Sequence, residues 1–415
     1  MKKLATISIG DELLNGSKLD TNCNFISNEL NNVGYETVMR LTAGDTKASI
    51  LSSLNYAIKN ADLVTITGGL GPTHDDVTKV ALCDYFETSL KYYDDVFNEI
   101  QTWIVSLGRN PNILDKSQGE YPENATLLHN SKGTAKGILL SKDGTIVLSM
   151  PGVPREMKAI LVEAFIPKFT SLSDERIVSL NIKTIGITEM MLFKAIHDVL
   201  SLYNDITVAY LPRHTGVTVR LSQRTLDEQR SQRYLDSIAL KMKEMLPNQI
   251  YAIGKMTLSS VVGALLTKHH LTVSTSESCT GGLVASHITD VPGSSYYFNT
   301  SYITYSNEAK IKLLDVSESS LKEHGAVSEE TVSQMLDGTL KYSGADYAIA
   351  ISGIAGPDGG TIEKPVGLVY IACGSKTKKT IKRFQFFKDR IINKEAAASA
   401  ALNLLRLEII ADYGE

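Results

Sequence analysis

Short apolar runs alternate with stretches of helical periodicity from the beginning of the chain. Residues 4–9 read as a buried strand, Phe25, Ile26, Leu30 and Val33 recur at helical spacing, residues 38–41 are strand-like, 50–58 helical, and 63–67 strand again. A β-α-β-α-β rhythm of this kind predicts a parallel sheet covered by helices. Residues 138–148, interrupted by Asp143-Gly144, read as a hairpin added to that unit, with its second strand ending at Met150. A helix from Pro154 is expected to stop at Ile166, because Pro167 has no N–H with which to continue it. The polar stretch 170–174 then reads as a linker.

Beyond it, segments 177–185, 188–200, 206–211, 216–221 and 226–246 read as β, α, β, β, α, a small α+β module without obvious chemistry. Residues 252–255 read as a second hinge. Alternation resumes from Thr257 with a helix, a strand at 271–276, a helix from Gly281, a strand at 302–305, a helix at 329–340, strands at 346–351 and 366–372, and a last helix from Ile391. The expected fold class is α/β, divided into residues 1–168, 169–252 and 253–415. There is no internal repeat and no low-complexity tract.

Composition adds exclusions. A length of 415 residues suits two or three domains at roughly 150 residues each. Hydrophobic residues make up 43% and charged residues 21%, an ordinary soluble balance, and no run reaches the length of a spanning helix, so no membrane partner is expected. Acidic residues exceed basic ones by 46 − 42 = 4, and no basic block marks a phosphate-backbone footprint, which argues against direct nucleic-acid binding. Cys23, Cys83, Cys279 and Cys373 lie far apart without zinc spacing, as reduced thiols of a cytoplasmic protein would. The charged start Met1-Lys2-Lys3 is followed by too short an apolar stretch for a signal peptide.

Polar clusters fall where the first three strands are expected to end: Gly10-Asp11-Glu12 with Asp20-Thr21-Asn22, then Gly44-Asp45, then the run 68–76. An open α/β sheet places its ligand there. Gly68, Gly69 and Gly71 let the backbone approach a ligand, and the N–H groups opening the next helix suit a phosphate. Carboxylates in the same place would repel that phosphate unless a divalent ion lay between them, which makes Asp45, Asp75 and Asp76 candidate metal ligands. Asp75 and Asp76 also read as ordinary acids of a helix first turn. Gly-Gly-Leu-Gly is not a dinucleotide fingerprint, and no Gly-Lys-Ser/Thr follows.

A second set of clusters lies in the last third. Ser276-Glu277-Ser278-Cys279-Thr280-Gly281-Gly282 joins a strand to a helix and offers backbone N–H groups to an anion or oxyanion. Cys279 is set aside as a nucleophile, because His287 falls about two helical turns further on. Ser294-Ser295 precedes Tyr305-Ser306-Asn307-Glu308-Ala309-Lys310; Ser306 can cap a helix whose positive end would lower the pKa of Lys310. A neutral lysine can serve as base for a serine hydroxyl, although a surface lysine beside a loop serine is the bland alternative. The glycine-rich loops around Gly353, Gly356 and Lys364-Pro365-Val366-Gly367, with Arg390 at the last helix, suit a phosphorylated small molecule.

These motifs carry a resemblance. Gly10-Asp11-Glu12-Leu13-Leu14-Asn15-Gly16, Asp20-Thr21-Asn22, the run 68–76 and Pro151-Gly152-Val153-Pro154-Arg155-Glu156-Met157 resemble the amino-terminal domain of the CinA family, itself similar to molybdopterin-binding domains of the MogA and MoaB type. The resemblance implies a three-layer fold, working acids at Asp45 and Asp76, and an ADP-ribose pyrophosphatase dependent on a divalent metal such as magnesium, cobalt or manganese. The family's Asn-Pro-x-Gly-Thr-Ala-Pro-Gly reads here Asn130-Ser131-Lys132-Gly133-Thr134-Ala135-Lys136-Gly137, without either proline. The motifs of the last third, 277–282, Gly293-Ser294-Ser295, 305–310, Gly325-Ala326-Val327-Ser328, 353–360 and 364–367, look like the CinA carboxy-terminal domain, also found alone as the PncC amidase. That likeness implies hydrolysis of the carboxamide of nicotinamide mononucleotide, without a metal, to nicotinic acid mononucleotide and ammonia. Its serine, tyrosine and lysine map onto Ser295, Tyr305 and Lys310, its late arginine onto Arg390, and Ser278, Thr280, Gly281 and Gly282 onto the substrate loop. The usual Gly-Asp-Arg reads Lys388-Asp389-Arg390. A homodimer is implied. The rival expectation is a competence-related or molybdopterin-like binding protein whose amino-terminal domain turns nothing over.

Overall fold

The structure is a computed structural model that describes residues 1–73, 76–169 and 175–414. The predicted linker at 170–174 and the candidate ligand Asp75 lie outside the described residues. The chain divides into two compact units, residues 1–178 with 224–231, and residues 179–223 with 232–415. Most of the middle module therefore belongs with the carboxy-terminal domain. No helix among the described residues is long and apolar enough to cross a membrane.

In the first unit, β1 (Lys2–Ile9), β2 (Tyr35–Ala43) and β3 (Leu63–Thr67) are parallel, as the alternation predicts. A small ribbon, β4 (Leu90–Tyr92) with β5 (Glu120–Pro122), stands apart. β6 (Thr126–Leu128), β7 (Gly137–Lys142) and β8 (Thr145–Met150) complete a six-stranded sheet of order β2-β1-β3-β8-β7-β6. Alternate strand residues face opposite layers: Ile7, Val64, Ile66 and Val147 pack with Ile50 and Leu54, while Leu4, Leu63 and Leu148 pack with Ile26, Leu30 and Met157. This is the expected three-layer arrangement. Asp143 and Gly144, at φ 52 and 84, make the predicted hairpin turn.

The helix from Pro154 does not stop at Ile166. It widens into a π turn over Ile160–Phe165 and resumes as Ile166–Phe169 through Pro167. A widened turn changes which carbonyl the proline ring meets, so the expected break is absent. The helix Asp94–Ser106 escaped the pattern reading, although its buried Val96, Ile100 and Ile104 recur at four-residue spacing.

The middle module has the predicted order β9 (Arg176–Thr184), helix Glu189–Leu200, β10 (Thr207–Arg213), β11 (Gly216–Thr225) and helix Glu228–Met245. Residues 252–255 are not simply a hinge: β12 (Ile250–Ile253) pairs antiparallel with β9 and closes the sheet β10-β11-β9-β12. The carboxy-terminal sheet has the order β14-β13-β15-β16-β17, with β13 (Val273–Glu277), β14 (Phe298–Ile303) and β15 (Tyr347–Gly353) parallel, and β16 (Leu368–Gly374) and β17 (Lys379–Gln385) antiparallel. The strand expected at 302–305 lies earlier, which leaves Thr304 and Tyr305 beyond its end. β17 was missed because Lys379, Lys382 and Arg383 interrupt its apolar pattern, as charges do on an edge strand.

Candidate active site

The second unit encloses a lysine, Lys310. Its helix, Asn307–Leu314, is capped by Ser306, whose Oγ accepts from the Ala309 N–H at 3.1 Å. The side chain runs inward, with Lys310 1% exposed. Nζ donates to the Thr304 carbonyl at 2.7 Å and to Ser278 Oγ at 3.1 Å. Burial pushes the lysine below its ordinary 10.5, so desolvation carries the shift that the helix end was expected to supply. Among the described residues no carboxylate pairs with the ammonium, and a neutral amine there can accept the serine proton.

Ser278 is presented by a turn built around a buried carboxylate. Glu277, fully buried at the end of β13, accepts from the N–H groups of Gly282 (3.0 Å), Val284 (3.1 Å) and Ala285 (2.9 Å). It thereby occupies the amino-terminal donors of the helix Leu283–Thr289. Gly281 and Gly282, at φ 64 and 95, make the left-handed step that brings those groups round. Of the backbone donors at 280–282, Gly282 N–H is held by Glu277 and Gly281 N–H by the Ser278 carbonyl at 3.1 Å. Among the described residues no backbone carbonyl accepts from the N–H groups of Cys279, Thr280 or Leu283, and the Cys279 N–H lies against its own thiol. The buried hydroxyls of Thr280 and Thr304 also have no hydrogen-bond partner among the described residues.

Ser295 is not brought to Lys310. It lies, exposed, in the short turn Ser294–Tyr296 that leads into the amino end of β14, whereas Lys310 lies beyond the carboxyl end of the same strand. Five peptide steps of about 3.3 Å separate those ends, roughly 16 Å. Tyr305 is 61% exposed and meets Arg390 rather than Lys310: Arg390 Nη2 donates to its Oη at 3.1 Å, and Nη1 donates to the Gly356 carbonyl at 2.6 Å. Arg390 thus ties the Gly353–Gly356 loop to Tyr305. Gly353 and Gly356 allow close packing there; a Cβ on them would meet the Leu368 carbonyl at 2.7 Å and Val366 Cγ1 at 2.6 Å.

Cys279 is buried and its thiol is pushed up to about 12, mainly by desolvation, so it is not a thiolate at neutral pH. His287 points to Glu395, with Nε2 3.1 Å from Oε2. Lys394, one helical turn after Arg390, was overlooked in the sequence; its Nζ lies 3.9 Å from where a Cβ on Gly281 would be. Its spacing of four from Arg390 was the available signal. Lys388, in place of the family's glycine, is outside the left-handed region and exchanges hydrogen bonds with Asn393, so this turn needs no glycine.

In the first unit, the crossover from β1 leads to β2 on one side of it and the next leads to β3 on the other, which makes a switch point between β1 and β3. Gly68 and Gly69, at φ 116 and 68, lie at its mouth, and a Cβ there would strike the Ile9 carbonyl at 2.6 Å or Thr78 Oγ1 at 2.1 Å. Asp45 Oδ2 accepts from the Asp11 N–H at 2.8 Å, and Asp11 Oδ1 from the Asp45 N–H at 3.2 Å, joining two loops. Asp76 accepts from the N–H and hydroxyl of Thr73 and fits against Gly71. Among the described residues no three His, Cys, Asp or Glu side chains converge on a metal site. Asp45 and Asp76 both accept from loop donors, and the third expected ligand, Asp75, lies outside the described residues. A cavity of about 320 Å³ opens at the carboxyl ends of β1 and β3, lined by Glu12, Lys18, Asp20, Asn22 and Thr67. Loss of the family prolines is compensated: Asn130 Nδ2 donates to the Ala135 carbonyl and Glu156, Lys136 N–H to Tyr121 Oη, and Lys136 Nζ to Glu99.

Residues 255–409 match the CinA C-terminal domain family, 5–171 the probable molybdopterin binding domain and 179–252 the damage-inducible protein CinA KH domain. A competence-damage inducible protein of Caldicellulosiruptor bescii is 40% identical over 407 residues, 98% of this chain and 99% of that protein. A CinA-like protein of Chloroherpeton thalassium is 41% identical over 409 residues, 96% of this chain and 97% of its own length. A crystal structure of a competence/damage inducible protein from Agrobacterium tumefaciens shares 39% identity, covering 36% of this chain and 91% of that one at a TM-score of 0.35. With likeness to whole relatives along almost its full length, the chain belongs to the CinA family of competence-damage inducible proteins.

Proposed function

We propose that the carboxy-terminal domain is an amidase for the carboxamide of nicotinamide mononucleotide, with Ser278 and Lys310 as its nucleophile and base. The observation that carries this reading is the 3.1 Å hydrogen bond between Lys310 Nζ and Ser278 Oγ, inside a site that depresses the lysine. Neutral Lys310 takes the Ser278 proton as Oγ attacks the carboxamide carbon. The negative charge on the former carbonyl oxygen falls to the N–H groups of Cys279 and Thr280. The C–N bond then breaks as Lys310 returns the proton to the departing nitrogen, which leaves as ammonia. Water, deprotonated by Lys310, cleaves the ester on Ser278 and releases the carboxylate. Arg390 and Lys394 supply positive charge for the nucleotide phosphate.

Motif likeness favours Ser295 as nucleophile, and activity measurements separate the two serines. Ser278→Ala is expected to abolish ammonia release while Ser295→Ala retains it. The reverse pattern transfers the role to Ser295.

For the amino-terminal domain, the glycine-lined switch point supports a second reaction, cleavage of ADP-ribose. The reading predicts turnover that is lost in Asp76→Ala and suppressed by a chelator; turnover unaffected by both removes Asp76 and the metal from it.

A further inference from the structure

The second unit contains a cavity of about 450 Å³ between the middle module and the carboxy-terminal sheet. One wall is apolar and firmly seated: Phe384 and Phe386, with Ala400 and Leu404 of the last helix, pack on the carboxy-terminal core. The two phenylalanine rings are parallel within 4°, with centroids 5.8 Å apart, and present an aromatic surface to the cavity. The turn between β10 and β11 contributes Arg213 to the lining, and β17 contributes Lys382. Neither cation has an ion pair among the described residues, whereas Lys378 and Lys379 on the same edge are both paired with carboxylates. Glu189 is the one acid in the lining.

An aromatic wall beside two uncommitted cations is complementary to a planar ring that carries an anionic group. The volume falls in the range of small-molecule sites, and boundaries between modules are where such sites concentrate. A polynucleotide fits less well, because two cations and an acid do not make the basic track that a phosphate backbone requires. The geometry points to a nucleoside monophosphate site in this cavity, separate from both candidate active sites, with the base on Phe384 and Phe386 and the phosphate between Arg213 and Lys382. It does not depend on the amidase reading.

The test uses the full chain and 8-azido-adenosine monophosphate as photoprobe, with labelled peptides mapped by mass spectrometry and affinity measured by titration with unmodified AMP. The expected result is saturable label in peptides spanning 382–407 or 185–217, displaced by AMP, and an affinity at least about tenfold weaker in the R213E/K382E double variant. Both positions are exposed, and thermal melting checks the variant's fold. Label confined to other peptides, label that AMP does not displace, unchanged affinity in a folded double variant, or displacement by single-stranded oligonucleotide but not AMP would each overturn the proposal. Should the double variant not fold, the labelled peptides of the unmodified chain decide alone.

Discussion

Lys310 is where burial and chemistry meet. A lysine enclosed to this extent without a carboxylate is costly as an ammonium and useful as an amine. Because its folded pKa lies below the ordinary 10.5, the base form accumulates at lower pH than a surface lysine allows. kcat/KM should therefore fall as pH decreases through a midpoint below 10.5, and Lys310→Met should remove activity by about a thousandfold or more at every pH. The same shift sets a stability slope. Between the folded and unfolded values the unfolded chain holds more protons, so stability rises with pH across that interval. Urea midpoints of Lys310→Met should lack this rise; an identical rise in the variant would mean another group titrates. The residue types at the site were legible in the sequence, and their pairing was not. Ser278, expected only as a substrate contact, and Ser295 are both motif serines; only the parallel pairing of β13 and β14 separates them, because it assigns one to each end of the sheet.

At the scale of elements, function rests on how a strand hands over to a helix. Glu277 fixes three N–H groups from the interior, so the turn carrying Ser278 is held by a charge-assisted network. Glu277→Gln keeps the volume but offers one acceptor oxygen in place of two. It should lower stability by roughly 1–3 kcal/mol and reduce kcat more than it raises KM, read from denaturant unfolding and steady-state kinetics. Gly282→Ala should cost about 1–2 kcal/mol through its left-handed backbone, and the added methyl would press on Ile303 at 3.1 Å. The parallel strands and the hairpin could be read from apolar runs and Asp143-Gly144, because burial on both faces writes a continuous pattern. What the pattern concealed was set by context. Pro167 is tolerated after a π turn, lysines disguise the edge strand β17, and β12 is short enough to pass for a hinge.

Across the whole molecule, the two compact units carry their candidate sites on separate sheets. Activities that depend on different units should be separable by single substitutions in the full chain. Asp76→Ala should leave ammonia release from nicotinamide mononucleotide intact, and Ser278→Ala should leave ADP-ribose cleavage intact; mutual loss, with unchanged melting temperatures, would contradict the division. The net charge of −4 supplies no general attraction for anionic nucleotides, so recognition falls to local donors and cations such as Arg390 and Lys394. The most direct test of the proposed chemistry is rapid acid quenching of the full chain during turnover of nicotinamide mononucleotide, followed by peptide mass mapping of the acyl adduct. The adduct is expected on the peptide containing Ser278, at that residue, and absent in Ser278→Ala. An adduct on Ser295, or ammonia release that persists in Ser278→Ala, would contradict it.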